Sequence, residues 1–429
     1  MKKILVFGVL LTTLLIFSGN GFCLEDCFNR NYQRQDWLKT GRWNAIEDME
    51  KSGKDFRILE KRWPTVNLQL TPEEEKARFG TTGLKLAQKA YLARHFDGTT
   101  MRMIVFCNIG HASGERKIVG YRMEKNPPMP KEYLDPDFPE DKKEGEDWFM
   151  VIHWVTPADT RGTSILVHSY NDKAKDCDTW VWFPSLRKSR RLTPANGGDA
   201  VLGSDWAYSD GFLLRITDEV YQIIGETRAN SFLPFDFYED IDLVDKYGPN
   251  TKEYIDFRRV MSLPRDAWVV RARSKNGGYG DWYSTRIVLI DKEFGYDSMW
   301  EIYDPKGRMM RTYELKWKRQ SDYNGKPMLT WASGFCEVLN FEDRGWTYWC
   351  APQTNFGCPV PDSWGSLREL QRTVRSTIIP YMSVLHPKKL APLEELYTPE
   401  MIEWRKKFYP VRVESWPDDA TKIIGLDRQ

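Results

Sequence analysis

Apolar and polar positions follow two different rhythms along this chain, and the change falls near residue 96. Between Leu24 and His95 the spacing is helical and the composition polar, interrupted at Pro64. Thr71 opens the clearest helix, because T-P-E-E places proline at the first helical position and acids in the first turn. The helix is predicted to run from Thr71 to His95, with Leu84, Ala87, Ala90 and Tyr91 forming one buried stripe.

From Asp97 the texture becomes β. Short β-branched and aromatic runs (TTMRMIVFCNI, RKIVGYRME, DWFMVIHWVTP, SILVHSY, DTWVWFP) alternate with turn residues, and a polar loop spans Pro127 to Glu146. A mixed stretch from Arg215 to Met261 carries a helix-compatible piece around Asp218 to Thr227. Strands are then predicted at Asp266 to Arg273, Tyr283 to Asp291, Ser298 to Tyr303 and Met309 to Lys318. Their connections, NGGYGD, DKEFGYD and DPKG, are hairpin-like, so the strands form an antiparallel meander with no room for crossover helices. Residues 324–429 read as irregular and proline-punctuated, with helix-like pieces at Ser366 to Ile379 and Pro399 to Phe408.

The chain begins as an export signal does: Lys2 and Lys3, an apolar run from Ile4 to Phe17, then Ser18, Gly19, Asn20 and Gly21. The run is shorter than the roughly 20 residues of a membrane-spanning helix. Residues 1–21 are therefore expected to be a signal peptide, 22–95 a helical N-terminal extension, 96–320 a β-core and 321–429 a cysteine-bearing extension packed on that core. The mature chain is expected in the periplasm, with the outer-membrane periphery also open to it. Lipid attachment at Cys23 is disfavoured, because Phe22 and Asn20 stand where a lipoprotein signal carries a small and an aliphatic residue.

Lys and Arg number 62 against 61 Asp and Glu, so the balance lacks the basic footprint of a nucleic-acid binder. Aromatic content stands out, at 18 Trp, 20 Tyr and 21 Phe, which suits either a ring-filled β-core or a cleft lined with rings. Seven cysteines in an exported chain point to disulfides of undetermined pairing. Zinc is disfavoured by the lack of a C-x-x-C pair and by scattered histidines, and no cofactor is expected.

In DTWVWFP, Trp180 and Trp182 project to one side and Val181 and Phe183 to the other. Both faces are apolar, which fits burial on two sides, a sheet curved around a ligand, or both. Arg187, Lys188, Arg190 and Arg191 follow at the strand end, as a solvated rim, as partners of Asp199 and Asp205, or as a clamp for an anionic head group. Catalytic patterns are missing: there is no G-x-S-x-G, no phosphate loop and no H-E-x-x-H. His153 and His168, in neighbouring predicted strands, could face each other, although satisfied or surface histidines are the commoner case.

The order DGTTMRM (Asp97 to Met103), T-P-x-D-x-R-G-T (Thr156 to Thr163), D-x-W-x-W-x-P-x-L-R-K-x-R-R (Asp178 to Arg191) and G-S-D-W-x-Y-x-D (Gly203 to Asp210) resembles the LolA/LolB-like outer-membrane lipoprotein-sorting proteins, in particular their large relatives. The resemblance covers Phe96 to Lys318. It implies a mainly β fold with α: an unclosed, curved antiparallel half-barrel with helices over its concave face. It also implies a non-enzymatic carrier of lipid or lipoprotein acyl chains. On that reading Trp154, Leu166, Trp180, Trp182, Trp206 and Tyr208 line a hydrophobic pocket, with Arg187, Arg190 and Arg191 at its rim. The alternatives are a carbohydrate-binding envelope protein and a structural partner of an envelope export complex.

Overall fold

A computed structural model describes residues 57–371 apart from 96–97, 112–113, 129, 135–137, 140–141, 194–195, 211–214, 233–261, 276–282, 323–326, 344 and 358–359, together with Pro399. The expected signal peptide, Cys23 and the helix-like piece from Pro399 to Phe408 fall almost wholly outside these residues.

Thirteen antiparallel strands form one open sheet. They are β1 (Thr100–His111), β2 (Gly114–Lys125), β3 (Glu146–Thr156), β4 (Ser164–Tyr170), β5 (Asp178–Phe183), β6 (Lys188–Leu192), β7 (Glu219–Phe232), β8 (Ser262–Ser274), β9 (Thr285–Asp291), β10 (Asp297–Tyr303), β11 (Met309–Ser321), β12 (Pro327–Asn340) and β13 (Gly345–Phe356). The order is β6-β5-β4-β3-β2-β1-β13-β12-β11-β10-β9-β8-β7. Two meanders therefore meet at a single seam, where β1 pairs with β13. The sheet stays unclosed, as an open half-barrel, because its edges β6 and β7 do not pair.

Within the tail expected to be irregular, Pro327–Asn340 and Gly345–Phe356 instead form β12 and the seam strand β13, so the boundary expected at 320 falls inside the sheet. Their Trp, Tyr, Thr and Val positions are strand formers that the neighbouring Gly, Pro and Cys disguise. Similarly, the helix-compatible piece at Asp218 to Thr227 is the start of edge strand β7. The four later strands of the meander stand where the pattern placed them.

Among the described residues, four short helices accompany the sheet: α1 (Leu59–Arg62), α2 (Pro72–Phe79), α3 (Gly83–His95) and α4 (Leu367–Leu370). The helix expected from Thr71 to His95 is thus broken in two. Thr71 does cap α2 through a reciprocal capping box with Glu74. Gly80 then ends it at φ 74°, a conformation that costs glycine little. Gly83 restarts the helix where a Cβ would come within 2.7 Å of the Gln222 backbone nitrogen in β7. Leu86, Ala90 and Tyr91 are the buried residues of α3, with Leu86 in place of the expected Leu84.

Topology dictates the most consequential feature. β6 and β7 are consecutive in the chain yet lie at opposite edges, so residues 193–218 must cross the sheet. The Gly203 to Asp210 part of this crossing segment lies on the same face as α3, the inner face of the half-barrel. The outer face is covered as well. Over β7 to β11 lie residues 57–70, where Arg62 and Trp63 donate to Glu301 at 2.7 Å each and Gln222 donates to the Leu70 carbonyl at 2.8 Å. Over β1 to β5 lie residues 360–371, where Trp364 is buried and the Arg102 guanidinium sits 5.3 Å from its ring.

Candidate functional site

The inner face is a continuous apolar layer that joins Met101, Met103, Val105 and Ile109 of β1 to Val270, Val288, Ile290 and Trp300 in the other meander. Trp154, Trp206 and Tyr208 all belong to or pack on this layer. Trp154, fully buried in β3, has its ring 6.0 Å from Trp349 of β13, and a Cβ on Gly120 would lie 2.5 Å from its ring. Trp206 reaches the layer from above, edge-on to Tyr313 at 5.7 Å and to Trp349 at 5.8 Å.

The G-S-D-W-x-Y-x-D turn that carries Trp206 is clamped to the sheet by its acids. Asp205 accepts from Asn340 at 2.9 Å and from the Thr347 hydroxyl at 2.8 Å, and its backbone N–H donates to Thr347 Oγ1 at 2.8 Å. Asp210 accepts from the Tyr313 hydroxyl and from the Ala207 N–H. Burial raises the pKa of both carboxyls, against the pull of these donors and of Arg311.

Leu166, Trp180 and Trp182 do not line the inner face. The register sets Leu166 opposite Trp180 and Ser164 opposite Trp182, all on the outer face, while Ile165 and Val181 point inward. Alternation had correctly divided Trp180 and Trp182 from Val181, but which side was inner depended on pairing across the whole sheet. Leu166 is buried in the outer layer, and Trp180 is half-buried, edge-on to His168 at 6.0 Å. The rim cations are displaced too. Arg187 lies in the β5–β6 turn and Arg190 and Arg191 on edge strand β6; Arg191 pairs with Asp178, and Asp199 and Asp205 take no part.

An inner-face opening lies in the other meander, beneath α3. Ala87, Ala90, Tyr91, Arg94, Tyr221, Arg286 and Asp297 are among the walls of a cleft of about 30 Å³. That is room for about two water molecules. Its charges are matched: Arg94 to Asp297 at 3.4 Å, Arg286 to Glu219 at 2.5 Å, and Arg215 to Asp218 and Asp176 at 2.6 Å each. Tyr221 and Tyr283 also donate to Glu219, at 2.8 and 3.0 Å. Burial raises the pKa of Asp297 despite Arg94 and a 2.8 Å hydrogen bond from the Trp300 indole. The pattern-based reading missed this set. Its one signal was charge at inward positions, such as Arg286 two residues before Val288.

His153 and His168 do not face each other: they pair with Ser164 and Phe149, four positions apart along the β3–β4 register. Burial lowers the His153 pKa to about 4, leaving a neutral ring whose Nδ1 is 2.7 Å from Ser164 Oγ. His168 binds Glu146 through Nδ1 and the Gly365 carbonyl through Nε2 at 2.7 Å. Among the described residues no group of three or more His, Cys, Asp or Glu is placed to hold a metal ion. Cys177 and Cys336 carry free thiols, so neither takes part in the expected disulfides. Cys23, Cys27 and the side chains of Cys350 and Cys358 lie outside the described residues.

Fold and site together define an open antiparallel half-barrel with a helix and a crossing segment over an apolar concave face. Solved structures similar to the chain carry the kind of description that its motifs resembled. One is described as an outer membrane lipoprotein-sorting protein domain from Vibrio parahaemolyticus, at 15% identity over 68% of this chain and 98% of that one, TM-score 0.48. A DUF1329 family protein from Desulfovibrio piger is 18% identical over 67% and 98%, TM-score 0.48. A LolA superfamily protein from Nitrosomonas europaea is 14% identical over 67% and 99%, TM-score 0.42. A family model described only as "-like: Uncharacterized protein" matches residues 146–232. No curated protein matches.

Proposed function

We propose that this protein is a non-enzymatic, periplasmic binding or carrier protein whose concave face takes up an apolar ligand of the lipid or lipoprotein acyl class. The observation that carries the reading is the inner face itself. It carries an apolar layer through both meanders, broken beneath α3 by the paired charges of the cleft, and among the described residues its covers are α3 and the crossing segment, not a second sheet. Burying a chain of about 16 carbons at about 0.8 kcal/mol per methylene is worth on the order of 12 kcal/mol, enough to hold a ligand against diffusion.

A cleft of about 30 Å³ beneath α3 does not hold such a chain, so uptake at that place requires α3 to lift. The cleft wall formed by α3 includes the small side chains Ala87 and Ala90, which forfeit little contact on separating from the sheet, so lifting costs chiefly the Arg94–Asp297 pair and the Tyr91–Asp147 hydrogen bond. The indole N–H groups of Trp154 and Trp206 are buried without acceptors, and a ligand ester or carboxyl oxygen would satisfy them.

The test is native mass spectrometry with lipid extraction on protein purified from the periplasm, joined to displacement of an apolar fluorophore. A co-purifying lipid that competes with the fluorophore is the expected result. Repeated recovery of an empty protein with no competition sinks the proposal. Coplanar stacking of soluble glycans with quenching of tryptophan fluorescence would point to the carbohydrate alternative instead.

A further inference from the structure

The β5–β6 hairpin carries a motif that an inner-face ligand leaves unused. Leu186, at its tip, is 64% exposed, the highest value among the large hydrophobic residues described. Its neighbours Arg187, Lys188 and Arg190 are exposed, and none has an acidic partner among the described residues. The turn is built by hydrogen bonds from Leu186 N–H to the Phe183 carbonyl (3.1 Å) and from Arg187 N–H to the Pro184 carbonyl (3.2 Å). It sets Arg187 at φ 49°, in the left-handed region. Glycine is the residue that fills this position without strain, yet here the strain is borne by a cation.

Behind the tip stand Trp182 and Phe183, both half-buried. An exposed leucine, flanking cations and aromatic rings just behind them form a set that partitions into the head-group region of a bilayer. The segment from Pro184 to Arg191 contains no acid, so its charge complements an anionic surface.

We propose that this hairpin docks the protein tip-first on a membrane bearing anionic lipid, with Leu186 below the head groups and Arg187, Lys188 and Arg190 paired with their phosphates. The site lies on the opposite meander from the cleft beneath α3, so docking stands or falls separately from apolar-ligand uptake.

Flotation of the full chain with vesicles of phosphatidylcholine, with and without phosphatidylglycerol, tests it. Binding is expected only to the anionic vesicles, and it should weaken as salt is raised. Each cation near such a surface is worth about fivefold in partitioning, so R187Q/K188Q should bind about 25-fold more weakly. L186S should bind more weakly while the residual binding keeps its salt dependence. All three changes are at exposed positions, so thermal melts should match the parent chain. Equal flotation with neutral and anionic vesicles, or parent-like binding by both variants, overturns the proposal. So does binding of soluble dextran sulfate as tight as that of vesicles and indifferent to L186S, which would mark a polyanion site.

Discussion

Trp206 and Trp349 meet with ring centroids 5.8 Å apart although nothing in the local chain brings them together: Trp349 belongs to the seam strand, and Trp206 rides on the segment that runs from one sheet edge to the other. Replacing Trp206 by alanine should uncover the layer over Tyr313 and Trp349. The expected cost is about 3 kcal/mol of stability, with binding of an apolar fluorophore rising rather than falling. Chemical denaturation and a fluorophore titration on the same sample check both halves.

Asp205 holds the same segment through a different chemistry. Asp205→Ala leaves the buried Asn340 amide and Thr347 hydroxyl without their shared acceptor. The penalty should be about 1–3 kcal/mol, and cleavage by a protease between residues 193 and 218 should accelerate more than cleavage elsewhere. Asp205→Asn should fall between the two.

At the seam, a Cβ on Gly110 of β1 would lie 2.1 Å from the buried indole of Trp346 in β13. Gly110→Ala must push that ring or separate the strands, at an expected cost of about 2 kcal/mol or more. Hydrogen exchange should then rise first in β1 and β13, because their pairing is the strand seam between the two meanders.

His168 ties residues 360–371 to the outer face, and both of its partners are acceptors, so both ring nitrogens must carry protons. Burial works to lower its pKa, but the hydrogen bond and charge of Glu146, with the Gly365 carbonyl, outweigh it and raise the value above 6.5. A raised folded-state value means the stabilisation is complete below the unfolded value of about 6.5 and is lost as pH rises through the folded one. The melting temperature of the parent chain should therefore fall more over that interval than that of His168→Gln.

His153 titrates with the opposite sign. Its pKa of about 4 means that the unfolded chain takes up a proton first as pH drops below about 6.5. Stability should decline from there toward pH 4 by at most about 3 kcal/mol on this account. His153→Gln should remove that part of the slope while leaving the higher-pH behaviour of His168 intact, as melts of both single variants would show.

Local pattern was enough to set much of this protein. The β-run from residue 97, the later meander, the Thr71 cap and the opposition of Trp180 and Trp182 to Val181 were all legible. Each depends on neighbours two to four positions away in the chain. The pairing of β1 with β13, the crossing segment, and the choice of Val181 over Trp180 as inward were not legible, because they depend on partners hundreds of residues distant. A period-two strand reads the same whichever face is turned inward. Only the assembled sheet, by placing β6 and β7 at opposite edges, decides that Trp206 covers the concave face and that the cationic hairpin stands apart from it.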